Sequence, residues 1–167
     1  MLSDSHGRAA ITRRAVDVLL ENGAQLLLHL GDVGNIEVLD ALVAAPAGSD
    51  QPIESHVVFG NCDWEKVPLQ RYAAELGVRV DHPVGRLDLS GGQLVFMHGH
   101  DNRAIVEALA DQVRWLCHGH THEPRDTRHG PTRLINPGAL HRAATHTVAL
   151  LDTDTDRLTF FTVRDGG

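Results

Sequence analysis

Residues 113–122 read VRWLCHGHTH, an apolar run that ends in two imidazoles two residues apart. Arg114–Cys117 has the length of a short buried strand. Titratable rings at such a strand end are costly unless they have partners. The same punctuation recurs upstream. Asp4-Ser5-His6 follows Met1–Ser3, and Gly31-Asp32 follows QLLLHL (25–30). Gly60-Asn61-Cys62-Asp63 follows His56–Phe59, and His98-Gly99-His100 follows Gln93–Met97. Helix-period segments alternate with the earlier runs. This order predicts an α/β domain whose strand ends meet at one ligand-binding rim.

Composition fits that reading. With 167 residues the chain has room for one core, and a single domain is expected over residues 1–167. Hydrophobic content of 42% with 22% charged residues places it among ordinary globular proteins. No run is apolar enough to span a bilayer and no secretion signal opens the chain, so no membrane partner is expected. Cys62 and Cys117 are too few for a disulfide framework, which favours a cytoplasmic protein with free thiols. The formal charge is −7, and only Lys66 among the fifteen basic residues is a lysine. That balance argues against stable duplex nucleic-acid binding, though a local site can still attract a small anion. Twelve histidines point toward metal chemistry.

Helices are expected over 8–22, with Ala10, Ile11, Ala15, Val18 and Leu19 inward, over 36–45, over part of 65–76 with Pro68 in the first turn, and over 102–111 capped by Asp101 or Asn102. Strands are expected at 25–30, 56–59, 86–89, 93–97, 114–117, 147–152 and 157–164. Segments 45–52, 64–72 and 123–131 are expected to shape selectivity as loops. One oddity is Asp4, preceded by only three residues. Either the first strand is very short or the start of translation lies upstream.

Asp4 and His6 are spaced i, i+2, as are His120 and His122. In an extended segment this spacing puts both side chains on one face. Together with Asp32, Asn61 and His98 they form a set of two carboxylates, one amide and four imidazoles. Such O and N donors suit Mn²⁺, Fe, Zn²⁺, Ni²⁺ or Co²⁺ better than Ca²⁺ or Mg²⁺. Seven ligands are too many for one ion and suit two if a carboxylate bridges. Asp32 lies between the two groups in chain order and is the expected bridge. Two ions roughly 3.5–4 Å apart hold a hydroxide and clamp both oxygens of an in-line displacement at phosphorus.

The ordered motifs D-x-H, GD, GN-C-D, a lone H and G-H-x-H resemble those of the calcineurin-like metallophosphoesterases. Asn136-Pro137-Gly138 resembles the small single-domain bacterial and archaeal branch. The resemblance implies a four-layer α/β/β/α sandwich of two mixed β-sheets flanked by helices. It also implies that Asp4, His6, Asp32 and His122 hold one metal, and Asp32, Asn61, His98 and His120 the other. Asn61, His98 and His120 would set the second ion beside the substrate, and Asp63 would orient a ligand or the local loop. Members with GNHD place a histidine near the phosphate; Cys62 stands there instead, which favours diesters over monoesters. Small members of the family often form homo-dimers or tetramers.

Blander readings apply to the remaining candidates. His29 and His118 read as packed histidines, and Cys62 as a partly shielded thiol rather than a nucleophile. Asp152, Asp154 and Asp156 imitate a calcium loop but lack its glycine and final glutamate, and so read as a hairpin turn. His100 is a candidate for touching the phosphate or protonating the leaving group. His141 and Arg142 could lie near the site. The expected function is a phosphodiesterase supported by two divalent ions, manganese foremost, acting on a small phosphodiester through a metal-bridging hydroxide. The alternative is a scaffold of the same fold, weak in catalysis, that binds a protein partner.

Overall fold

In the computed structural model, residues 1–164 are described; the last three residues of the domain expected over 1–167 lie outside them. Four helices are found among the described residues: α1 (Ala9–Glu21), α2 (Ile36–Leu42), α3 (Lys66–Leu76) and α4 (Asn102–Ala110). Ten strands accompany them: β1 (Leu26–His29), β2 (Glu54–Val57), β3 (Arg79–Val80), β4 (Val84–Leu89), β5 (Gly92–Met97), β6 (Trp115–His118), β7 (Arg125–His129), β8 (Thr132–Asn136), β9 (Thr147–Asp152) and β10 (Arg157–Thr162). Helix ends follow local chemistry. The Asp101 side chain accepts the Arg103 N–H at 2.9 Å to start α4, and Gly77 at φ 76° closes α3 in the left-handed region. Pro68 sits in the first turn of α3, where its missing N–H costs nothing.

The strands make two sheets. One runs β1-β2-β3 in parallel, and the Met1–Ser3 segment extends it: the Leu2 N–H donates to Leu28 O at 3.0 Å. On its other side Met1 exchanges two backbone bonds with Ala149 of β9, at 2.7 and 3.0 Å. These three residues therefore join the β9-β10 hairpin to the parallel strands. The second sheet is mixed, in the order β4-β5-β6-β8-β7.

Three apolar cores stack these parts as the resemblance implies. Leu28, Leu30 and Val58 of the first sheet meet Phe96, Trp115 and Ile135 of the second. Helices α1, α2 and α3 cover the outer face of the first sheet through Leu19, Leu39 and Leu69. Helix α4 covers the second through Ala108, against Val95, Met97 and Leu116. The result is the four-layer α/β/β/α sandwich.

Several expectations needed correction. Ala10 is exposed; Thr12 and Val16 take the inner face of α1 beside Ile11, Ala15 and Leu19. Segment 123–131, expected as a loop, mostly forms β7. Its sequence RDTRH is exposed at every position, so it has no apolar alternation to betray a strand, and its charges suit a sheet edge. Its partner β8 was disguised by Arg133 inside a buried run. That guanidinium is paired with Asp126, by two bonds of 2.8 Å, and with Asp156 at 2.9 Å, which makes its burial tolerable. The two-residue β3 is too short for any periodic signal.

Candidate metal centre

Five chain segments deliver the polar groups. Asp4, Asp32 and Asn61 follow the Met1–Ser3 segment, β1 and β2 on the first sheet, whereas His98, His120 and His122 follow β5 and β6 on the second. The expected rim is thus shared between two facing sheets. A cavity of about 760 Å³ lined by Leu26, Leu28, Leu94 and Leu151 contains none of these residues and opens at the other end of the strands.

The backbone at the site is not extended. Asp4, His6, Asp32, His120 and His122 have φ values of 55°, 44°, 53°, 68° and 60°. Left-handed backbone costs roughly 1–2 kcal/mol at each non-glycine residue and persists where the surroundings over-determine it. The expected convergence of Asp4 with His6, and of His120 with His122, therefore arises from tight turns rather than from a strand face. Strain on five of the seven candidate ligands singles out this rim as a place where side-chain placement outweighs local stability.

Two groups of donor atoms result. In the first, Asp4 Oδ1 lies 3.2 Å from His122 Nε2, and the His6 and His122 ring centroids are 5.7 Å apart. In the second, His98 Nε2 lies 3.0 Å from Asn61 Oδ1, and the His98 and His120 rings are 5.1 Å apart. Asp32 stands between them, its Oδ2 being 3.5 Å from His6 Nε2 and 3.4 Å from His98 Nε2. Donors that share one ion at about 2.0–2.2 Å lie roughly 3.0–3.5 Å from each other. The observed separations have that size. Asp4 Oδ1 and His6 Nε2 are buried without any hydrogen-bond partner, which is costly unless a cation completes them. The donor set thus fits metal ions.

Neighbouring groups fix the donors' orientation. Ser3 Oγ donates to Asp4 Oδ2 at 2.6 Å and the His120 N–H to the same oxygen at 3.1 Å, leaving Oδ1 free to face the site. His98 Nδ1 donates to Leu30 O at 2.8 Å, which turns Nε2 toward the site. The Cys62 N–H donates to Asp32 Oδ1 at 2.8 Å. Burial alone would raise the Asp32 carboxyl, but the bonds from His98 and Cys62 outweigh it and hold Asp32 well below the usual carboxylate range. Conversely, burial lowers His98, but the bond to Asp32, the Asp4 and Asp32 charges and the Leu30 carbonyl together raise it.

Asp63 touches no donor atom of the cluster. Its oxygens accept the N–H groups of Gly60 at 2.8 Å, Gly34 at 2.9 Å and Val33 at 3.2 Å, so it ties the GD turn to the GN turn as a positioning group. His100 is exposed at the rim, 5.4 Å between ring centroids from His98. His141 packs its ring 5.1 Å from His6, and Arg142 O lies 3.4 Å from His122 Nδ1. His29 and His118 are buried as expected. Cys62 Sγ lies within 4.8 Å of donor atoms of His6 and Asp32. Burial first, then the Asp32 charge, raises its thiol, which keeps it from acting as a thiolate.

Three supports escaped the sequence reading: Ser3, the loop-tying part of Asn136, and two glycines. Asn136 donates to Gly119 O at 2.9 Å and Thr121 Oγ1 at 3.0 Å, and accepts from the Gly138 N–H at 2.9 Å. The NPG turn is therefore a brace for the GHTH loop. A Cβ on Gly119 would collide with Ser3 Oγ and come within 2.8 Å of Asp4 Oδ2. A Cβ on Gly60 would overlap Asp32 Oδ1. Both glycines are set by the approach of a carboxylate. The signal was present in the motifs, but only the packing explains it.

The calcineurin-like phosphoesterase superfamily domain model matches residues 1–156. The chain belongs to the calcineurin-like phosphoesterase superfamily. Membership makes it a hydrolase of phosphoesters in a metal-dependent family. Phosphodiesterase YfcE of Escherichia coli K12 is 31% identical over 145 residues, covering 83% of this chain and 76% of that protein. Phosphodiesterase MJ0936 of Methanocaldococcus jannaschii is 22% identical over 164 residues, 92% of each chain. Among solved structures, an archaeal phosphodiesterase superposes with a TM-score of 0.83 at 19% identity over 97% of both chains. Zinc-complexed Vps29 of Entamoeba histolytica superposes at 0.62, with 22% identity over 91% of this chain and 83% of that one. These structural likenesses concern the fold.

Proposed function

We propose that this superfamily member is a phosphodiesterase with a dinuclear centre. Asp4, His6, Asp32 and His122 would hold one ion, and Asp32, Asn61, His98 and His120 the other. The observation that carries the reading is the Asp32 carboxylate: one oxygen stands at 3.5 and 3.4 Å from imidazole nitrogens of two separate donor groups. The bound ions would supply a nucleophile at neutral pH and charge to offset that on the phosphoryl oxygens. The chain's own residues do the rest. Asp32, ionised and fixed by the Cys62 N–H, sets the spacing of the two halves. Ser3 and the His120 N–H hold Asp4 in one rotamer. Asn61 and His98 lie on the side that opens toward His100, where a leaving group would exit. Cys62, in place of a histidine, offers no protonated imidazole to a monoester dianion, which supports diester preference.

Manganese is the proposed physiological ion, and the substrate a small phosphodiester. Stripping the protein, reloading it with Mn²⁺, Ni²⁺, Zn²⁺ or Mg²⁺, and assaying bis(p-nitrophenyl) phosphate beside p-nitrophenyl phosphate tests both. Two ions per chain with diester-preferring turnover supports the reading. Full loading without turnover refutes it and leaves the partner-binding scaffold, toward which only the fold likeness to Vps29 points.

A further inference from the structure

The chain's single lysine stands beside the candidate metal centre, in an arrangement that lacks an acceptor. The Phe59 N–H donates to His82 Nδ1 at 3.3 Å, so Nδ1 carries the lone pair and the proton of neutral His82 is on Nε2. That Nε2–H faces Lys66 Nζ at 3.4 Å. An ammonium has no lone pair to offer, so two donors point at one another. Both side chains are half-buried, which makes the mismatch more costly than on open surface.

The surroundings reinforce the positive character. Lys66 is the first residue of α3, an 11-residue helix whose N-cap Glu65 makes no side-chain capping bond and whose first turn has no acidic residue. The positive end of the helix, of which Lys66 is the first residue, is thus left without a side-chain cap. Nearby carboxylates do not fill the gap. Asp63 spends both oxygens on backbone N–H groups. Asp101 caps α4 through the Arg103 N–H. The pair adjoins the centre through the GN turn: the His82 ring packs 5.5 Å from that of Phe59, two residues before Asn61, and His100 at the rim lies 5.4 Å from His98 and 6.3 Å from His120.

We propose that Lys66 and His82, with the open N-terminus of α3, form a phosphate subsite beside the metal centre, so that the preferred substrate carries a second phosphate in addition to its diester. A phosphate oxygen between Nζ and Nε2–H accepts from both and removes the donor–donor conflict. The other oxygens face the first turn of α3. This inference deepens the phosphodiesterase reading and rests on it for the word substrate, but not for the binding of the anion.

Two measurements test it on the metal-loaded protein. The first compares thymidine 5′-(p-nitrophenyl phosphate) with the same compound bearing a 3′-phosphate. The wild type is expected to show about a tenfold lower KM for the phosphorylated one. Lys66→Met should abolish that preference while leaving kcat/KM on the plain diester within about twofold. No preference in the wild type, or an equal loss on both compounds in Lys66→Met, overturns the proposal. The second measurement needs no turnover. With one lysine in the chain, acetylation of Lys66 is read directly by peptide mass. Millimolar sulfate should slow that acetylation severalfold relative to chloride at equal ionic strength, and His82→Asn should remove the protection. An unchanged rate in the wild type overturns the subsite. If neither diester is hydrolysed, the phosphodiesterase reading falls, and the acetylation result still decides the subsite.

Discussion

Gly60→Ala is the sharpest test of how the rim is built. Gly60 lies outside the left-handed region, so alanine meets no positive-φ penalty there. The added Cβ, however, would lie 2.6 Å from Asp32 N and 2.7 Å from Asp32 Cγ, besides overlapping Asp32 Oδ1. Non-bonded carbon contacts relax at about 3.5–4.0 Å, so the two turns must part by roughly 1 Å. A rotamer change of Asp32 cannot supply this, because one of the colliding atoms is backbone. Overpacking of this kind costs about 1–3 kcal/mol of stability. The functional cost should be larger, since displacement of a positioned group by about 1 Å can lower turnover roughly 100-fold. The assay is kcat/KM on an aryl diester, with metal content and urea midpoint measured on the same sample. Gly91→Ala is the comparison. Its Cβ would meet Thr153 O at 2.5 Å and Trp115 Cη2 at 2.7 Å, a clash that also involves backbone, at the opposite end of β5. It should lose similar stability and keep its kcat/KM within about threefold. If Gly60→Ala retains wild-type activity and metal content, the close seating of the GN turn on the GD carboxylate is wrong.

Three further outcomes are expected. Asn136→Ala removes three hydrogen bonds, two of them fully buried, and should cost about 2–4 kcal/mol while loosening the GHTH loop, so calorimetry and elemental analysis should show loss of stability and of bound metal together; a stable variant with full metal content would disprove the brace. Asp156 accepts from Trp115 Nε1 at 2.8 Å, Arg128 Nη2 at 2.7 Å and Arg133 Nη1 at 2.9 Å, so Asp156→Ala should lower stability by about 2–3 kcal/mol and leave kcat unchanged. Burial of His29 depresses its pKa from 6.5 to about 3, so the unfolded chain binds the extra proton between those values. Its contribution is complete above pH 6.5 and is lost at up to about 1.4 kcal/mol per pH unit as pH falls toward 3; His29→Asn should show a shallower acid limb in denaturant titrations, and an unchanged slope would contradict a neutral buried His29.

Much of the fold was legible because apolar periodicity and helix stops are local. The runs at 25–30, 93–97 and 114–117 became β1, β5 and β6, and the segment expected to be partly helical over 65–76 became α3. Strands β7 and β8 were hidden because their stability is not local. An all-exposed RDTRH pairs with a run whose buried Arg133 is neutralised by Asp126 and by Asp156, 23 residues away. Nothing within either segment announces that compensation.

The same division holds at the rim. The donor types that gather are legible in local patterns, since Asp4, His6, Asp32, Asn61, His98, His120 and His122 each close or follow a short apolar run, and such runs end where a sheet meets its ligand. How they gather is a matter of packing: through left-handed turns on two facing sheets, with Asp32 between two donor groups, Asn136 bracing the GHTH loop, and Lys66 set against His82. The reason is physical. Periodicity records which face of an element is buried, whereas the distance between side chains far apart in the chain depends on how layers pack, and no single segment encodes that.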